Sequence, residues 1–115
     1  MEITEFEKSK AFMIAELLQY VPNSVVIETI MRRTTGHISA IACDSGEAMT
    51  EKISRFDTFI QVIDGKAEIV INDQSSVLQT GESIIIPAHS RNTIKAHERF
   101  KMLSTTIKSG YEELA

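Results

Sequence analysis

Apart from carboxylates, lysines and hydroxyls, the side chains able to do acid–base, nucleophilic or metal chemistry are few in this chain. There are three histidines (His37, His89 and His97), one cysteine (Cys43) and two tyrosines (Tyr20 and Tyr111). A metal centre needs ligands that converge on one point. His37 opens a β-branched run, His89 lies in a turn ahead of Asn92, and His97 lies in a late turn over residues 96–99. They are dispersed, and no metal or other cofactor is expected from them. A single thiol excludes an internal disulfide and a thiolate zinc cluster, so Cys43 reads as a small buried strand residue. Ser54 has no G-x-S-x-G turn around it and no matched His and Asp, which speaks against a serine hydrolase. Arg32-Arg33 reads as a solvated pair.

The elements that must position these groups follow from length and pattern. A chain of 115 residues suits one domain around one core, and 43% hydrophobic with 24% charged residues is the balance of an ordinary globule. A net charge of -4 offers phosphate backbones no attraction, so nucleic acid is not an expected partner. No apolar run is long enough to span a membrane, and the first residues lack the apolar region of a signal peptide; no membrane contact and a cytoplasmic location are expected.

Residues 1–10 are polar and read as an arm. Over residues 12–21 the apolar positions Ile14, Leu17, Leu18 and Val21 share one helical face, and Pro22-Asn23 stops the run. β-branched runs then predict strands at 24–31, 37–43, 51–55, 57–63, 66–71, 75–78, 83–86, 92–95 and 100–107, with turns at the spacing of a sandwich or barrel. No helix separates consecutive strands, which excludes a parallel βαβ plan. Asp64-Gly65 lies between FIQVI and AEIVI and predicts a hairpin joining 57–63 to 66–71, with Thr58, Ile60, Val62, Ala67, Ile69 and Ile71 facing inward. Run 24–31 is apolar on both faces and needs a cover on each; a second subunit could supply one. The expected organisation is an arm and short helix over 1–23, a barrel over 24–110 and a tail over 111–115.

The glycines and one proline carry a resemblance. Gly46 and Gly65 bracket a stretch spaced like the first cupin motif, G-x5-H-x-H-x3,4-E-x6-G. Gly81 and Pro87 open one spaced like the second, G-x5-P-x-G-x2-H-x3-N. The resemblance covers roughly residues 38–107 and implies an all-β fold, a cupin-type jelly-roll β-barrel (a double-stranded β-helix) with a short N-terminal helix. In the family, two His, a Glu and a third His point inward and bind a divalent metal. Here those positions hold Lys52, Ser54, Thr58 and Asn92, and His89 replaces the second motif's inner glycine. None of the four offers an imidazole or a carboxylate, and a lysine would have to lose its proton to ligate.

The same resemblance implies that Lys52, Ser54, Thr58 and Asn92 line the lumen with Met49, Ile60, Val62, Met102 and, at the mouth, His89. Such a set suits a small polar or anionic ligand, of carboxylate or sugar type, held without catalysis. Lys52 has three readings: a rim lysine with its ammonium in water, an anion anchor, or a catalytic amine of lowered pKa, for which no base is evident. Asp57 points to the opposite face from Thr58 and would pair with a cation such as Arg55 outside. At least one of Phe56 and Phe59 faces away from the lumen. The expected partners are a small-molecule ligand and a second copy of the chain, in a homodimer. The alternatives are an isomerase-, epimerase- or lyase-like enzyme, with or without an unconventional metal site, and an oligomerisation module whose barrel is packed shut. A His–Asp base with a Tyr acid would need an inward histidine, and Tyr20 and Tyr111 lie outside the barrel motifs.

Overall fold

The structure, a computed structural model, describes residues 6–108, and of residues 50–52 the backbone alone. Its strands are β1 (Val25–Arg33), β2 (Gly36–Cys43), β3 (Ala48–Ile53), β4 (Asp57–Ile71), β5 (Gln74–Gln79), β6 (Ser83–Ile86), β7 (Arg91–Lys95) and β8 (Phe100–Ile107). All pairings are antiparallel. One sheet runs β1-β2-β8-β4-β6 and the other β3-β7-β4-β5. The two share β4, and their inner faces enclose the main core, whose largest fully buried side chains include Phe100, Ile60, Ile69 and Met102.

The hairpin expected at Asp64-Gly65 is replaced by a bulge in the middle of β4. The strand is continuous over 15 residues. Its register against β8 slips between Val62 and Asp64, so that Val62 faces Met102 while Asp64 faces Lys101. An extra residue in one strand bends it and raises its twist. Here the bend carries β4 out of the first sheet and into the second. The inward face shifts from Thr58, Ile60 and Val62 to Ala67, Ile69 and Ile71, which are buried or half-buried. Without the slip, Asp64, Lys66 and Glu68 would have faced the core. The Asp-Gly pair signals a positive φ, and Gly65 has one (+87°), but it serves a corner and not a reversal.

The helix expected over 12–21 is a single 3-10 turn, Ile14–Glu16. So short a segment has little helical stability of its own, and its apolar residues are spent on the outside of the first sheet. Leu18 is buried there with Ile30, Ala40 and Ala42, and Phe6 and Leu17 pack against them. The chain itself therefore covers the outer face of β1 and β2, one of the two faces for which a second subunit was considered.

A polar latch fastens this strap at the β4 corner. The Tyr20 hydroxyl donates to Asp64 Oδ2 at 2.6 Å. The Arg99 guanidinium lies 4.6 Å from the Tyr20 ring centre and the Lys101 ammonium 5.0 Å from it. Lys101 also donates to the Ala15 carbonyl at 2.6 Å. Burial and the Asp64 carboxylate push the Tyr20 hydroxyl above its ordinary pKa, so it stays a donor across the working range. Tyr20→Phe removes one charge-assisted bond at a partly solvated site and is expected to cost about 1 kcal/mol, read as a lowered urea midpoint at unchanged m-value.

Candidate functional site

Directly paired residues of antiparallel strands point to the same side, so the inner face of the first sheet can be followed rung by rung. The first rung holds His37, Thr106, Thr58 and Ile86. The second holds Ser39, Ser104 and Ile60, and the third Ile41, Met102 and Val62. The last places Cys43 and Phe100 against Gly65. Polarity falls along this series and so does exposure, from half-buried His37 and Thr58 to Cys43 and Phe100 at 0%. The second sheet repeats the trend, with Asn92 opposite Ile71, then Ile94 between Met49 and Ile69.

The result is a cavity of about 380 Å³, polar toward one end of the barrel and closed at the other. That volume lies within the range of small-molecule sites. Its deeper apolar wall is built from Ile41, Ile60, Ile94, Met49 and Met102, with Ile86 level with the polar rung and the exposed Ile27 at the β1 edge. Hydroxyls from Ser39, Ser54, Thr58, Ser104 and Thr106 form a belt above it, and the Thr58 and Thr106 hydroxyls stand 3.2 Å apart. Phe56, His37 and Lys108 complete the polar end, with the Lys108 ammonium 5.8 Å from the centre of the Phe56 ring. No Asp or Glu lines the cavity among the described residues.

Of the residues expected to line the lumen, Ser54, Thr58, Asn92, Met49, Ile60 and Met102 are brought together here. Val62 is not among the lining residues. It is 0% exposed and sits in the core one rung beyond Ile60. His89 lies outside as well, exposed on its turn with φ +66°. The family motif has glycine at this place, and His89 supplies the positive φ while its N–H donates to the Ser54 carbonyl at 2.6 Å. Lys52 pairs with Asn92 through the backbone ladder, and its side chain lies outside the described residues, as does Tyr111. Asp57 faces outward and accepts the Ala88 N–H at 2.8 Å, which holds the β6–β7 turn. Phe59 also faces outward, 39% exposed.

The sequence reading missed His37, Ser39, Ser104, Thr106 and Lys108. No motif marks β2 and β8. The alternation of small polar residues along ISAIAC and FKMLSTTI is the one signal that could have found them.

The other titratable groups are structural. Cys43 is buried, and burial pushes its thiol up to about 11. His97 contacts Glu68 on the outside, and Ser75 donates to the same carboxylate. These bonds hold Glu68 below the usual carboxylate range. Backbone N–H groups of Asn23 and Ser45, with Arg99, do the same for Asp44. A carboxyl whose folded pKa is depressed stabilises the fold above its unfolded value of about 4, and that stabilisation is lost as pH falls through the folded value. The melting temperature should therefore hold between pH 7 and 5 and fall below pH 4, and Asp44→Asn should make that fall shallower.

A divalent metal does not fit this donor set. Ser54, Thr58 and Asn92 offer neutral hydroxyl and amide groups, and His37 is the single imidazole in the lining among the described residues, too few ligands for a metal centre. Among the described residues no three His, Cys, Asp or Glu side chains gather. No helix is long and apolar enough to cross a membrane among the same residues.

The chain matches no protein-family model and no curated protein sequence. Its likeness to solved structures is extensive. A conserved Streptococcus pyogenes protein of unknown function, SPY1581, is 23% identical, with 94% of this chain and 95% of that one covered at a TM-score of 0.86. A cupin superfamily protein from Desulfitobacterium hafniense is 25% identical, with 93% and 98% covered at 0.84. The salicylate 1,2-dioxygenase of Pseudaminobacter salicylatoxidans is 16% identical; 83% of this chain covers 29% of that enzyme at 0.71. The fold is a cupin barrel, the fold these neighbours share.

Proposed function

We propose that this cupin is a metal-free binding barrel that holds a small polar or anionic organic molecule in its lumen without transforming it. The observation that carries this reading is the lining. At the family's ligand positions that are described, Ser54, Thr58 and Asn92 face an open cavity of about 380 Å³ in place of imidazole and carboxylate. Hydroxyls and an amide can hydrogen-bond a ligand but do not accept a proton at neutral pH, and His37, the one imidazole in the lining among the described residues, has no Asp or Glu beside it in that wall to orient it as a base. Elemental analysis of the purified protein together with a thermal-shift screen of small acids and sugars tests it. The expected result is no stoichiometric Fe, Mn, Ni or Zn and at least one stabilising compound. A stoichiometric transition metal would overturn it.

The working unit in this reading is a homodimer. Among the described residues β1 is the outer strand of its sheet, paired with β2 and met elsewhere by the Phe6 N–H, which donates to the Ile30 carbonyl. Ile27 at the cavity side of this edge and Met31 and Ile107 together on another side are 56%, 40% and 55% exposed. An apolar edge strand favours association with a like surface. Light scattering after size exclusion should return twice the chain mass; a monomer at micromolar concentration would refute the dimer.

A further inference from the structure

We infer that the ligand of this cavity is an amphipathic monocarboxylate, which enters apolar end first and leaves its carboxylate at the Lys108 and His37 end. The inference rests on the binding-barrel reading above and narrows it to one chemical class and one orientation.

Level with Ser39 and Ser104 the lining already carries Ile60, and beyond them it turns aliphatic, with Ile41 and Met102 from the first sheet and Ile94 and Met49 from the second. A sugar carries hydroxyls on every side. Seated there, it would leave several without a partner, at a cost of about 1–3 kcal/mol each. An alkyl or aryl body loses nothing in that wall and gains about 25 cal/mol for each Å² of apolar surface it buries. The deep end therefore selects against polyols and for hydrocarbon.

The outer end selects the head group. Among the described side chains Lys108 is the one lysine or arginine in the lining and no acidic group joins it, and His37 lies on the neighbouring strand. The chain as a whole has 16 acidic residues against 12 lysines and arginines. A cavity with a cationic rim and no carboxylate runs against that overall balance, and it favours an anion over a cation or a neutral head. Thr58, Thr106 and Ser104 stand just inside the rim, where their hydroxyls can donate to carboxylate oxygens. Phe56 lines the same end, with the Lys108 ammonium and the Arg55 guanidinium each 5.8 Å from its ring centre.

The test is calorimetric titration of the full chain with phenylacetate and hexanoate, with their neutral amides phenylacetamide and hexanamide, and with glucose. The acids should bind about tenfold or more tightly than their amides, a ratio typical of one charge-assisted contact, and glucose should not bind. Lys108→Ala should reduce the acid to the affinity of its amide and leave the amide unchanged. Amides that bind as well as the acids, or glucose that binds better than either, would overturn the amphipathic-acid inference while leaving a ligand-binding barrel in place. An acid preference lost in Lys52→Ala and kept in Lys108→Ala would overturn the orientation. If no compound binds, and a broader screen of small acids and sugars also leaves the melting temperature unmoved, the inference and the binding-barrel reading fall together.

Discussion

Gly65→Ala is expected to cost the fold about 3 kcal/mol or more. Two penalties coincide at this residue. Its φ of +87° lies where a β-carbon is disfavoured, by about 1–2 kcal/mol in a left-handed conformation. A β-carbon built there would also stand 2.2 Å from the Arg99 carbonyl oxygen and 2.9 Å from the Phe100 Cα. Both are backbone atoms, so relief requires the β4 corner and the start of β8 to separate. That separation would expose Phe100, now fully buried, and disturb the Tyr20–Asp64 contact beside it. Urea unfolding followed by circular dichroism measures the loss. Gly46→Ala is the fitting control, because its β-carbon would meet nothing within 4 Å although its φ is also +87°. It should cost only the conformational part. Equal costs at the two glycines would show that the close approach at Gly65 contributes nothing.

Ser104→Leu should close the binding site while leaving the barrel folded. Ser104 sits on the second rung between Ser39 and Ile60, at the level where the wall turns from hydroxyl to hydrocarbon. Overpacking a filled core costs about 1–3 kcal/mol, but an isobutyl group at this position projects into open space and buries against Ile60 and Ile41. The melting temperature should stay level or rise, with an upper bound of about 2 kcal/mol of added stability from the buried apolar area. Affinity for any lumen ligand should fall at least tenfold, because the ligand's apolar body and the leucine compete for one volume. A variant that is destabilised by several kcal/mol would mean that the lumen is already packed, which is the scaffold alternative. A variant that binds normally would place the site elsewhere.

Much of the architecture could be read along the chain. The β-branched runs bounded by Gly, Pro, Asn and Asp marked the strands to within a few residues, and β6 and β8 have the expected bounds. The spacing of Gly46, Gly65, Gly81 and Pro87 pointed to a cupin barrel because each sits at a bend the barrel cannot make otherwise. The change of inward parity between Val62 and Ala67 was also legible, since Asp64, Lys66 and Glu68 have no place in a core. Whether a hairpin or a bulge produced it was not. Both need a positive φ at Gly65 and both reverse the parity, and only the pairing of β4 with β8 on one side of the corner and β7 on the other distinguishes them.

The candidate site divides along the same line. Ser54, Thr58 and Asn92 were reachable because a motif spacing points to them. Lys108, Thr106, Ser104 and His37 were not, because they lie on strands β2 and β8 or just past the end of β8, and these strands are more than fifty residues apart and meet only across the sheet. A single strand shows which of its residues alternate; it does not show which end of the barrel is open.

The order of residues by itself determined the strand pattern, the points of bending and the loss of the family's metal-binding side chains, since each is a local property of residue type and spacing. The folded chain alone decided that the polar rungs gather at one end and the aliphatic rungs at the other, that the N-terminal strap covers the outer sheet, and that β4 turns a corner without reversing. Those outcomes depend on which distant strands become neighbours. That choice is made by the burial of the whole core, a sum over contacts that no segment contains on its own.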